Sequence, residues 1–349
     1  MLSMRAKTLR QSILVMTLGV LLCPLPGQAL TIEFTALEGL VGNMPAVDAL
    51  TRAADQWEAI FVNPITLNIQ ADMVDTGFGA FAIVPLVSES YDTVRNAMVA
   101  DAMSSPSKDI NTFLPTSSEL RFDTPTGVSV DTSQVLLAET NAMALDLTVN
   151  NPSSSFLGFN NEVSWDFNRS NGIDPEKFDF EAVALHELGH ALGFAYSGVD
   201  VIGDCLQGGG TICSATPGIM DLFRFEQGSA PSTPSEFSTF ARSVSPEVET
   251  VFSDSRSQFA MSTGAGGDGF QAAHWKYSGF TGTRIGIMDP VTAPAGESSS
   301  IEFPDIRALE LIGYDRSVGA PEPAGIWVVV SGLLMLFGYA QWSRRKDSY

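Results

Sequence analysis

The chain has 349 residues, with 40 acidic side chains against 19 basic ones and a net charge of −21. Removing the basic residues at both ends would leave the body more acidic still, which argues against nucleic acids and anionic surfaces as partners. The length suffices for one large domain or two small ones, and the acidity favours solubility.

In chain order, Arg5, Lys7 and Arg10 precede an apolar run at residues 13–22. Gly27, Gln28 and Ala29 follow at cleavage positions. This predicts a signal peptide over 1–29, cut after Ala29; the run is short for a retained anchor. Residues 30–34 alternate as a strand, 46–61 carry apolar side chains at helical intervals, and 64–70 alternate again. A second helix is expected over 90–102, and strands over 142–149 and 162–167. Asp166, Asn168, Asn171 and Asp174 form an oxygen-rich loop. A solvated turn is the preferred reading there, with Ca2+ as a candidate second cation.

The most informative stretch follows: His186-Glu187-Leu188-Gly189-His190, which holds two of the three histidines. Residues four apart share one face of a helix, so both imidazoles can bind one zinc ion while Glu187 polarises a water. Asp179 is placed to cap this helix and Gly193 to end it in a left-handed conformation. Gly189 inside it costs about 1 kcal/mol relative to Ala.

His-Glu-x-x-His-x-x-Gly resembles the zinc helix of the metzincin metallopeptidases. In most of them a third His follows three residues after the Gly; here that position is Tyr196, a poor neutral ligand. The remaining histidine is His274, far downstream, an arrangement similar to leishmanolysin-like metallopeptidases. Gly286-Ile-Met-Asp-Pro290 looks like a Met-turn, in which Met288 would form an apolar floor under the metal. The resemblance therefore implies His186, His190 and His274 as zinc ligands, with Tyr196, Asp200 and Glu226 as competitors for the third place. Met220, in a second Ile-Met-Asp, is the alternative Met-turn. Glu187 would act as general base on a zinc-activated water.

Residues 198–273 are rich in Gly, Ser, Thr and Pro and read as a loop-rich insertion with one helix at 234–244. In an oxidising compartment Cys205 and Cys213 would close a small disulfide loop within it. A closing helix is expected over 301–312, ending at Gly313. Pro321, Glu322 and Pro323 then precede an apolar stretch at 324–340 and a basic end, Arg344, Arg345 and Lys346. This tail resembles the PEP-CTERM sorting signal, which implies an exosortase-type processing enzyme and the inner membrane as partners before cleavage; a permanent single-pass anchor is the alternative.

The combined expectation is an α+β fold: a metzincin-like zincin catalytic domain, with a mixed twisted sheet and an active-site helix. Subdomains at 30–197 and 274–320 would flank the insertion, followed by the tail at 321–349. The expected function is that of an exported zinc endopeptidase acting on polypeptides and resembling the PEP-CTERM-bearing bacterial metalloproteases. A non-catalytic zinc-containing surface or matrix protein, and a zinc hydrolase of a non-peptide amide, are the alternatives.

Overall fold

The computed structural model describes residues 29–317. The signal segment, the tail and Pro321, Glu322 and Pro323 lie outside these residues. The described chain is α+β. Its first half runs β1 (Thr31–Ala36), α1 (Met44–Ile60), β2 (Thr66–Val74), β3 (Ala80–Ile83), β4 (Leu86–Ser90), α2 (Tyr91–Ser104), β5 (Phe122–Asp123), β6 (Val128–Val130), β7 (Gln134–Ala138), α3 (Glu139–Ala144), β8 (Ser155–Asn160), β9 (Trp165–Asp166), β10 (Phe178–Asp179) and α4 (Phe180–Ala191).

The main sheet has the order β1-β2-β8-β3. β1, β2 and β8 are parallel, and β3 runs antiparallel along the edge. Along β2 the inward positions Leu67, Ile69 and Ala71 are buried and their neighbours exposed, the period-two pattern of a half-buried strand. The parallel pairing of β1 with β2 needs a crossover, and α1 supplies it. Its buried face is mostly small, with Ala46, Ala49, Ala53 and Ala54 beside Leu50 and Trp57, so α1 packs closely on α4. Trp57 Nε1 donates to the carbonyl of Leu185 on α4 at 3.1 Å. Arg52 and Gln56 bond the Glu181 carboxylate at 2.8 Å each, fixing the first turn of α4.

The strand expected at 142–149 is absent. Residues 139–144 form α3, and Asp146 then turns the chain with a positive φ of 58°. The alternation of Met143, Leu145 and Leu147 imitates a strand, but tertiary bonding decides otherwise. Thr140 Oγ1 donates to the carbonyl of Ala191 at 2.7 Å, and Asn141 Nδ2 to that of Leu192 at 2.9 Å. These take up two of the free carbonyls at the end of α4. The strand expected at 162–167 shrinks to the two residues of β9, and β3 forms the sheet edge packed against α4. In the oxygen-rich loop, Asp166 accepts the N–H groups of Asn168 and Asp174, at 2.9 and 3.0 Å, and Asn168 accepts from Ser170. The loop is thus a self-bonded turn, its oxygens spent on its own backbone.

The second half runs α5 (Gly198–Gln207), β11 (Cys213–Ala215), β12 (Arg224–Glu226), α6 (Pro234–Thr239), β13 (Arg242–Ser243), β14 (Thr250–Ser253), β15 (Gln258–Met261), α7 (Ser278–Thr281) and α8 (Phe303–Leu311). Residues 198–273, expected as a loop-rich insertion, hold regular structure between their loops. They carry two helices and the antiparallel sheet β12-β14-β15. They also bury Phe223, Phe225, Phe237, Phe252 and Met261 in the main core. Each such side chain is worth about 1.5–3 kcal/mol on burial, more than a solvated loop would forgo. The helix expected at 234–244 ends at Thr239, after which β13 pairs with β5. Cys205 and Cys213 form the expected disulfide. The closing helix α8 stops before Gly313, whose φ is 128°. Among the described residues no helix is long and apolar enough to cross a membrane.

Candidate metal centre

Helix α4 is set by its ends. Asp179 caps it by accepting the N–H of Ala182 at 3.1 Å, and Arg169 holds the same carboxylate. At the far end Gly193, at φ 135°, and Phe194 return their N–H groups to the carbonyls of His190 and Gly189. This closes the helix in the Schellman pattern. Almost every residue of α4 is buried, including His186, Glu187 and Gly189.

The i, i+4 spacing puts His186 and His190 side by side, and the 271–275 turn brings His274 against them. Nε2 of His186 lies 3.1 Å from Nε2 of His190 and 3.2 Å from Nε2 of His274. Each Nδ1 faces a main-chain carbonyl: Ile287 for His186 at 2.8 Å, Phe194 for His190, and Gln271 for His274 at 3.1 Å. A carbonyl can only accept, so each Nδ1 carries the proton and each Nε2 is a bare lone pair. Three lone pairs aimed at one buried point repel unless a cation lies between them. Two ligands held about 2.0–2.1 Å from a tetrahedral zinc would sit about 3.3 Å apart, so the donor set fits that ion in spacing and chemistry. Burial drives His186 down to about 3 and His190 to about 4, and holds His274 well below the usual imidazole range. The three rings are therefore neutral at pH 7, as a metal would require.

Glu187, the next residue along the helix from His186, is also buried, and burial alone pushes its carboxyl up to about 8. Met288 sits directly under the helix. A Cβ added at Gly189 would fall deep inside the Met288 sulfur and 3.3 Å from its terminal methyl. The glycine that weakens the helix locally is thus what lets Met288 in. Gly189→Ala is expected to destabilise the chain by about 1–3 kcal/mol, despite alanine's advantage in helices. A denaturant titration reads this, and adding Met288→Ala should show the two sites coupled. A Gly189→Ala chain as stable as the wild type would mean that the two residues do not meet.

Asp305, in the first turn of α8, is buried and joins the site from a distance in sequence. Its carboxylate accepts from Trp275 Nε1 at 2.7 Å and from the N–H groups of Ile287 at 2.8 Å and Met288 at 3.2 Å. It also accepts the N–H of Glu302, closing its own helix cap at 2.8 Å. One buried side chain therefore ties the residue after His274 to the carbonyl-bearing residue behind His186 and to Met288. Burial pushes this carboxyl up to about 6, against the four donors. Its only mark in the sequence is its place in the first turn of the closing helix, which says nothing of that reach.

Among the described residues, His186, His190 and His274 are the only group of three or more His, Cys, Asp or Glu side chains gathered to hold a metal. The other candidates point elsewhere. The Tyr196 hydroxyl donates to the carbonyl of Thr216 at 3.1 Å, and burial pushes it up to about 12. Asp200 bonds the N–H of Ala272, and Glu226 lies exposed on β12. Met220 is buried in the main core, within the 3₁₀ turn Ile219–Phe223. Cys205 and Cys213 are joined to each other.

No family model, curated protein or solved structure matches this chain.

Proposed function

We propose that this protein is an exported zinc-dependent endopeptidase of metzincin-like build, with His186, His190 and His274 holding the metal. The observation that carries the reading is the convergence of three neutral Nε2 lone pairs, each fixed by an Nδ1–H bond to a main-chain carbonyl. The order of zinc helix, distant His and buried Met beneath Gly189 supports the resemblance to leishmanolysin-like enzymes.

Zinc in such a site supplies a Lewis acid for the scissile carbonyl and an acidified water. Glu187, buried next to the ligands, takes a proton from the attacking water and delivers it to the leaving amine. Its burial keeps that proton from leaking to solvent. The outer edge of β3, beside α4, offers main-chain N–H and C=O groups along which an extended polypeptide can be laid. We place the body outside the cytoplasm, on the strength of the signal segment and the PEP-CTERM-like tail.

Metal removal tests the reading. Casein or gelatin cleavage by the purified protein should vanish on dialysis against chelator and return with about one zinc per chain. Zinc bound at that ratio without any cleavage would sink the endopeptidase reading and leave a non-catalytic zinc protein or a hydrolase of another amide.

A further inference from the structure

The third ligand arrives on a separate piece of chain, 88 residues beyond His186. If that piece were loose, binding the metal would have to pay for ordering it. The grip on it centres on Ala272, inside the turn whose Gln271 carbonyl orients the His274 ring. The N–H of Ala272 donates to the Asp200 carboxylate, 2.9 and 3.1 Å from its two oxygens. Its carbonyl accepts Nη2 of Arg224 at 2.5 Å. Arg224 is wholly buried and also bonds the carbonyl of Ser262 at 3.0 Å and Thr250 Oγ1 at 2.8 Å. Ser262 in turn donates its N–H to the His274 carbonyl at 3.1 Å and its hydroxyl to that of Trp275 at 2.8 Å. On the other side, the Nε of Arg224 meets Asp221 at 3.2 Å. Asp221 accepts Ser197 Oγ at 2.7 Å and the N–H groups of Gly198 and Gly218 at 2.8 Å.

The chain leaving the zinc helix is thereby bolted to the turn carrying the third ligand. Buried carboxylates and guanidinium groups are expensive unless each bond is satisfied, and these satisfy themselves on the backbone of Ala272 and its neighbours. Resting on the metal-centre reading above, we propose that Asp200 and Arg224 are positioning residues for His274. They hold the 271–275 turn so that its Nε2 meets the other two before any metal arrives. Asp200, which the sequence offers as a rival ligand, acts on the third ligand through one peptide unit.

Zinc affinity, measured on the full chain by competition with a chromophoric chelator, tests this in Asp200→Ala, Asp200→Asn, His274→Ala and the Asp200→Ala/His274→Ala pair. Asp200 is partly exposed, so Asp200→Ala avoids the uncompensated buried charge that Arg224→Met would leave on Asp221. Asp200→Ala should weaken zinc about 10–100-fold, the range for residues that orient a ligand. Asp200→Asn, which keeps an acceptor for the Ala272 N–H, should recover most of that. In the His274→Ala background Asp200→Ala should add nothing. Equal weakening in both backgrounds, or undiminished affinity in Asp200→Ala, would overturn the proposal while leaving the metal centre standing. Failure of the wild type to bind zinc would instead overturn the metal centre and this proposal with it.

Discussion

Glu187→Gln is expected to lower peptide hydrolysis by about 10²–10⁴-fold, the range for a positioned general base, while leaving zinc at one ion per chain. The amide matches the carboxylate in shape but cannot accept the proton, so binding and chemistry separate. A second readout follows from the raised carboxyl. With a folded value of about 8, Glu187 holds its proton at pH 7 in the metal-free chain. A dication among the neighbouring imidazoles favours its ionised form. The three histidines, driven low by burial, have no proton to give. Zinc binding near pH 7 should therefore release close to one more proton from the wild type than from Glu187→Gln. That difference should fade as the pH rises past about 8, where Glu187 has already ionised. Calorimetry in buffers of different ionisation enthalpy measures it. Unchanged hydrolysis in Glu187→Gln would remove the residue from the mechanism.

His274→Ala carries the second large effect. Losing one of three ligands should weaken zinc by more than the roughly 10–100-fold typical of an outer-shell change, and activity should go with it. Tyr196→Phe is the contrast. Its hydroxyl serves the carbonyl of Thr216, so its loss should cost about 1 kcal/mol of stability and leave zinc in place. Zinc retained in His274→Ala and lost in Tyr196→Phe would place the third ligand in the segment just after α4, against the geometry of the three rings.

The helix of His186 and His190 was legible because its signals are local: a four-residue spacing, an Asp before the first turn and a Gly after the last. His274 could be named because the chain has so few histidines. What binds these parts together was not legible. Nothing near Gly189 announces that its missing side chain makes room for Met288, a hundred residues away. Nothing near Asp305 announces its hold on Trp275 and Ile287. The misread strand at 142–149 fails for the same reason. Its alternation is real, but Thr140 and Asn141 are committed to the carbonyls ending α4, and that demand reaches across the fold. β8, which joins β2 to β3, has no clear mark in the sequence; Gly158 within it lies under the Phe81 ring, which looks like a defect in a single strand. In residues 198–273 the abundance of Gly, Ser and Pro concealed a phenylalanine core, because composition averages over positions that packing distinguishes.

The sulfur beneath Gly189 has a chemical consequence. Met288 is wholly buried and pressed against the backbone at Gly189, whereas Met44 and Met103 are 59% and 79% exposed. Sulfoxide formation needs both access for peroxide and room for an added oxygen. The surface methionines offer both and Met288 offers neither. In an oxidising setting Met44 and Met103 would be consumed first, outside the core, and Met288 would outlast them.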